Sequence, residues 1–436
     1  MKRFCFKKCG LFAAVVCVIT LSFSFSSCAS ASTSFTVSQP SKIPQDFFGI
    51  SPDRSPLEKE DFELLDDFSA VWIRTTIRWA GVERQEGVWD FDRWDIYVDK
   101  AEAAGKKVII ILGFDNPWLY SDNKEKRDLA ERELPYYLKY VEQVVTRYKT
   151  RVVYEIWNEP NWVFWKGSDK NFFALSAAAA KKIRELEPDA LILAGSTSRV
   201  DAKFTRGMFK SGAMENTDGF SVHPYGTSPV DTMRQINKLK KILNEFKYDK
   251  PIWVTEVGYS TGPVSFCHIR QYPEYIVKTL SSLSTQANGI RNVIWYELMD
   301  NYNPGEVVNR LDPENYFGLI HPNKTFKNGA EAFMLTAGYL AGAEYSPNLL
   351  KREKVSKNIT SYFFVREDGE SVLILWNNGM GKKKVRLSVA NAQDISNHNI
   401  INREITILKG EPLLEIGKEP VFITWKGGEN PRLLKK

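Results

Sequence analysis

Eight short apolar runs, rich in β-branched residues, punctuate the chain between residues 47 and 296. They are FFGIS (47–51), AVWIRT (70–75), KKVIIILGF (106–114), VVYEIW (152–157), ALILAG (190–195), GFSVH (219–223), PIWVTE (251–256) and NVIWY (292–296). Polar and apolar residues do not alternate cleanly within them, the pattern of strands buried on both faces of a parallel sheet. Longer stretches lie between. In RWDIYVDKAEAAG (93–105), LPYYLKYVEQVVTRY (134–148) and PEYIVKTLSSLSTQ (273–286) the apolar residues recur at helical spacing. Strands alternating with helices over about 300 residues predict an α/β protein built on a (β/α)8 TIM barrel. A doubly wound open sheet is the weaker alternative, because no glycine-rich phosphate loop follows the first strand.

Near residue 343 the texture changes to closely spaced strands. SYFFVRED (361–368), SVLILWNN (371–378), KKVRLSVA (384–391), REITIL (403–408), EPLLEIG (411–417) and EPVFITW (419–425) are separated by turn residues. They predict a small antiparallel β-sandwich, to which TSFTVS (33–38) is expected to add a strand. Trp376 and Trp425 read as its core, so support of the barrel is favoured over a carbohydrate-binding module.

The first segment has the pattern of an export signal: a basic start, MKRFCFKKCG, then LFAAVVCVITL, then small residues. The apolar run is short for a membrane span. FSSC resembles a bacterial lipoprotein signal, which makes a lipidated Cys28 the possible membrane tether. Ala29-Ser30-Ala31 suits ordinary cleavage instead. Either route places the protein outside the cytoplasm, in the envelope, the periplasm or the medium. The expected layout is a signal over 1–28, a linker over 29–42, the barrel over 43–342 and the sandwich over 343–436.

Charge and composition narrow the partners. Of the formal charge of +6, four positive charges come from Lys2, Arg3, Lys7 and Lys8; the remainder carries about +2, which gives no electrostatic case for nucleic acid. Only Cys267 lies beyond the signal region, so no internal disulfide or cysteine-based metal site is expected. The 4 histidines show no HExxH spacing and no G-x-S-x-G elbow is present, which argues against a metal or a serine nucleophile. The 12 Trp, 18 Tyr and 26 Phe suit the apolar faces of sugar rings where they fall in loops. The sequence specifies no oligomeric state.

Two strand ends carry the candidate chemistry. YEIWNEPN (154–161) breaks off at Asn158-Glu159-Pro160, and PIWVTEVGYS (251–260) ends in Glu256. In a barrel, residues at the carboxyl ends of strands face the active site, and the fourth and seventh strands lie across the mouth. A carboxylic acid and a carboxylate facing one gap are what glycosidic bond cleavage needs. These motifs resemble clan A of the retaining glycoside hydrolases. The stretch RWAGVERQEGVWDFDRWDIYVDKAEAAGKKVIIILG (78–113) resembles glycoside hydrolase family 39 and its relatives.

That resemblance implies Glu159 as acid/base, Glu256 as nucleophile, and Asn158 as a partner of the hydroxyl beside the reacting carbon. It implies that Arg74 holds Glu256 ionised, that His223 and Tyr225 surround the pair, and that Trp295 forms an aromatic floor under the sugar. It also points to xylosides or to the backbone of a bacterial exopolysaccharide. Arg74 and His223 have alternative readings as a structural ion-pair partner and a buried, hydrogen-bonded histidine, and Trp295 as core. Trp118, Trp162 and Trp165, with Asp115, Asn116, Tyr259, Asn301 and Tyr302, are expected to make outer sugar contacts from loops. The expected protein is a cofactor-free retaining β-glycosidase acting on a poly- or oligosaccharide. A non-catalytic, envelope-tethered carbohydrate-binding barrel and a transglycosylase with the same residues are the competing readings.

Overall fold

The computed structural model describes residues 40–52, 57–120, 132–302, 309–401 and 404–436. The export signal, Cys28 and the stretch 33–38 lie outside the described residues. Eight parallel strands close a barrel: β2 (Phe48–Ser51), β3 (Trp72–Arg78), β4 (Lys107–Gly113), β5 (Val152–Ile156), β6 (Ile192–Ser198), β7 (Gly219–His223), β8 (Ile252–Val257) and β9 (Ile290–Tyr296). The pairing of β2 with β9 completes the ring, so the α/β barrel expected from the apolar runs is the fold observed.

Helices follow these strands for local reasons. Leu134–Tyr148 buries one stripe, Tyr137, Tyr140, Val141, Val144, Val145 and Tyr148, at helical spacing. Asp169–Leu186 and Ala202–Lys210 start at side-chain caps, Ser168 accepting from Asn171 N and Asp201 from Phe204 N. Among the described residues, no helix is long and apolar enough to cross a membrane.

Inside the barrel, Trp72, Ile109, Val153, Leu193, Trp253 and Ile294 make a buried layer, with the rings of Trp72 and Trp253 edge-to-face at 5.3 Å. Two glycines make room for this layer. A Cβ on Gly219 would come within 2.4 Å of the Trp253 indole, and one on Gly49 within 2.5 Å of the Trp72 carbonyl oxygen and 2.6 Å of the Ile294 side chain. Because side chains alternate along a strand, the next inward positions above this floor are Arg74, Ile111, Glu155, Gly195, Thr255 and Tyr296. Four of these six carry polar groups toward the mouth.

The C-terminal strands form two sheets. One runs β1-β10-β12-β13-β18-β15-β16 and the other β11-β19-β14-β17. Their ranges are β10 Glu344–Tyr345, β11 Lys351–Glu353, β12 Ile359–Val365, β13 Ser371–Asn377, β14 Lys383–Ser388, β15 Gln393–His398, β16 Ile405–Leu408, β17 Leu413–Ile416, β18 Val421–Lys426 and β19 Arg432–Lys435. All pairs are antiparallel except β11 with β19. Strand β1, Ser41–Lys42, pairs with β10; these residues were expected in a linker. Trp425 lies in the core between the sheets, stacked on Phe363 at 5.7 Å. Trp376 turns the other way, to Lys278 on the barrel helix Tyr272–Ser284.

Candidate active site

The polar layer is organised around Arg74, which β3 delivers into the barrel, almost wholly buried. Its guanidinium is divided among four partners. Nε donates to Glu155 Oε2 at 2.5 Å, Nη1 donates to Glu256 Oε1, and Nη2 donates to Asn158 Oδ1 at 2.8 Å and lies 3.2 Å from His223 Nε2. Glu155 is held from its other side by the Thr255 hydroxyl at 2.7 Å. Burial opposes the charge on Arg74, but Glu155 and Glu256 outweigh it and hold its pKa above the ordinary arginine value.

Local backbone distortions aim the two glutamates. Trp157 and Glu159 both take positive φ, 67° and 45°, a conformation costly for residues with a Cβ and concentrated at functional sites. The amide of Glu159 is pinned to Ser196 O at 2.8 Å, beside an irregularity in β6 between Gly195 and Thr197. In β8 the register shifts between Val254 and Val257. That bulge lets Thr255 and Glu256 both reach the interior, which strict alternation forbids.

His223 sits fully buried between the carboxylates, with Nδ1 3.0 Å from Glu159 Oε1 and 3.4 Å from Glu256 Oε2. The Tyr225 hydroxyl donates to Glu256 Oε2 at 2.7 Å. Burial first, and then the charge of Glu256, pushes the Tyr225 phenol well above its usual range, so it stays a donor. Glu159, His223 and Glu256 offer ligand atoms within 4.8 Å of one another, the donor types of a metal site. The hydrogen bonds assign them otherwise. An arginine only donates, so His223 accepts at Nε2 and carries its proton on Nδ1, where no lone pair remains for a metal.

Thus Arg74, Asn158, Glu159, His223, Tyr225 and Glu256 meet at one point. The tryptophans divide. Trp162 is 52% exposed at the mouth. Trp118 is half-buried and donates its Nε1 to Glu83 O at 3.1 Å. Trp165 is buried against Trp157 and Phe172, which corrects its expected sugar contact.

Trp295 is also corrected. It is fully buried, points outward to Tyr272 and Phe333, and cannot lie under a sugar. Its neighbour Tyr296 has the inward face. Tyr259 is buried too, its hydroxyl 2.9 Å from Thr232 Oγ1 and 2.7 Å from Thr279 Oγ1, and Asn116 is buried against Glu83 O. Sequence reasoning missed Glu155, although a lone carboxylate in the middle of a doubly buried strand signals a buried countercharge.

A family model described as Cellulase (glycosyl hydrolase family 5) matches residues 39–298. The chain belongs to this family. It is an O-glycosyl hydrolase of the retaining clan A. No curated protein sequence matches the hydrolase significantly. Among solved structures, a family 39 glycoside hydrolase from Bacteroides cellulosilyticus WH2 shares 19% identity and a TM-score of 0.71, covering 88% of this chain and 81% of that one. A monomeric β-xylosidase from Caulobacter crescentus CB15 shares 13% identity at TM-score 0.62, over 88% and 97% of the two chains. A family 30 subfamily 8 xylanase from Clostridium acetobutylicum shares 12% at 0.59, over 89% and 98%. These likenesses are of fold, and they place the hydrolase among the architectures that the sequence motifs resembled.

Proposed function

We propose that the hydrolase cleaves β-glycosidic bonds of a poly- or oligosaccharide by double displacement, with Glu256 as nucleophile and Glu159 as acid/base. The observation that carries the reading is the close approach of the two carboxylates, with an oxygen of each within 4.8 Å of the other around His223. Retaining enzymes hold their carboxyl groups about 5–5.5 Å apart, whereas inverting ones leave about 6.5–9.5 Å for a water. In the first step a Glu256 oxygen bonds to the anomeric carbon, the glycosidic bond breaks, and the leaving oxygen takes the Glu159 proton. Water then attacks that carbon, returns a proton to Glu159 and frees Glu256.

The surrounding groups fit these roles. Arg74 and Tyr225 donate to Glu256 and steady its charge. His223 donates from Nδ1 to Glu159. Asn158, whose carbonyl oxygen is taken by Arg74, offers its amide NH2 to the hydroxyl beside the reacting carbon. The similar structures described as xylosidase and xylanase make β-xylosides the first substrates to try. The basic and apolar start of the chain supports export, with Cys28 as a candidate lipid attachment site.

The test is reducing-sugar release from a panel of plant and bacterial polysaccharides, with aryl β-xyloside and β-glucoside alongside, for wild type and Glu256→Gln. Release lost in the variant, with its thermal melt unchanged, is the expected result. Near-normal turnover by Glu256→Gln would remove the double-displacement reading.

A further inference from the structure

The loop after β9 brings a third carboxylate to the reaction centre. Its single turn of helix, Pro313–Tyr316, presents Glu314 and is capped by Asp312, which accepts from Glu314 N at 3.1 Å. The turn is braced from both sides. Ser260 Oγ donates to Pro313 O at 2.7 Å, and Thr261 donates twice to Tyr316 O, from N and Oγ1, at 3.1 Å each. Buried Lys327 reaches Tyr316 O at 3.0 Å while paired with Asp300 at 2.8 Å. Gly262 presses on the turn as well, since a Cβ there would lie 2.6 Å from the Tyr316 ring. A loop tied down at these points holds a side chain in place.

Glu314 points toward the site. Its Oε2 accepts from the Tyr296 hydroxyl at 3.4 Å. The Tyr296 ring meets Tyr225 edge-on at 6.4 Å, and Tyr225 donates to Glu256. Phe317 packs on both rings, at 5.4 and 6.0 Å. Glu314 is an exposed residue in the free protein, flanked by the Tyr296 hydroxyl and by Asp312 of its own turn. Among the described residues, no lysine or arginine forms an ion pair with it. Burial, then the charges of Glu256, Asp312 and Glu159, push its carboxyl up to about 7, while Tyr296 pulls slightly the other way.

Resting on the glycosidase reading above, we propose that Glu314 is a specificity-determining residue, hydrogen-bonding a hydroxyl of the sugar seated over Glu256 and confining that position to neutral sugars. The electrostatics give the exclusion. Glu159, Glu256, Glu314 and Asp312 converge here, and the guanidinium of Arg74 is already shared among Glu155, Glu256, Asn158 and His223. A uronic acid would add a further anion beside these carboxylates, with the Arg74 guanidinium already engaged. A hydroxyl finds a carboxyl able to accept or, when protonated, donate.

The test compares wild type, Glu314→Gln and Glu256→Gln on aryl β-xyloside, β-glucoside and β-glucuronide, and on any polysaccharide that wild type cleaves, from pH 4 to 9. For Glu314→Gln the expected result is a melt close to wild type and a kcat/KM on neutral sugars lower by about tenfold, the scale of one hydrogen bond. A wild-type ionisation near pH 7 in kcat/KM is expected to disappear in the variant, and its preference for neutral sugars over the glucuronide to narrow. A merely structural role would shift the melt without changing that preference or the pH profile.

A Glu314→Gln enzyme within twofold of wild type in all three measures overturns the inference, as does wild type taking the glucuronide as readily as the glucoside. If Glu256→Gln keeps wild-type turnover, the mechanism falls instead, and the Glu314 comparison still reads separately. Wild type silent on every substrate overturns both.

Discussion

At the scale of single residues, the site depends on a buried cation shared among acceptors. Arg74 and Glu155 form a pair with almost no water contact. Removing one partner strands the other, so Glu155→Leu is expected to cost about 3–5 kcal/mol in urea unfolding, with Glu155→Gln costing less. Tyr225→Phe deletes one bond to an ionised group; a loss of about 1.5–3 kcal/mol in transition-state stabilisation, roughly ten- to over a hundredfold in kcat/KM, is expected. Glu314 gives a pH signature. Its folded carboxyl titrates near 7, above the ordinary 4.5, so the folded state holds that proton more tightly and stability falls as pH rises through this window. Glu314→Gln lacks the proton, so its melting temperature relative to wild type is expected to climb between pH 4.5 and 7. A flat difference would remove the assignment. Glu159 and Glu256 were legible because each interrupts an apolar strand at its end. Trp295 and Tyr296 were confused because side chains alternate with period two, and one residue of offset exchanges cleft and core.

At the scale of elements, the strands were legible and their irregularities were not. The bulge in β8 that turns Glu256 inward, and the left-handed backbone at Glu159, involve no residue type that announces them. Strand β15, QDISNH, escaped notice because its polar residues carry no apolar run, although β16 and β18 pair with it on either side. The barrel floor makes a sharper point. Gly219 and Gly49 stand where any Cβ collides with Trp253 or Trp72. Gly219→Ala is expected to destabilise by about 1–3 kcal/mol through overpacking, measured by urea unfolding, and Trp253→Leu added to it is expected to recover part of that loss. An additive second loss would show that the indole is not what Gly219 accommodates.

At the scale of the whole molecule, barrel and sandwich share a packed seam. The hydroxyls of Tyr362 and Ser282 lie 3.3 Å apart, Lys278 lies over the Trp376 ring at 5.7 Å, and Arg366 donates to Gly338 O and Tyr339 O at 2.8 and 3.1 Å. Trp376 is thereby spent on the seam, in line with a supporting sandwich. One calorimetric transition is expected for the intact chain. Two well-separated transitions would show that the seam does not couple the parts.

The closure of β2 onto β9 also sets an order of events as the chain is made. A ribosome releases β2 early, yet its second neighbour arrives some 240 residues later, and β1 waits longer still for β10. Until then, nascent chains carry a sheet with open edges, the state most prone to pair with the wrong partner. Synthesis stalled anywhere before residue 296 therefore leaves a product that cannot finish its ring, and such fragments are the ones a cell must shield or destroy.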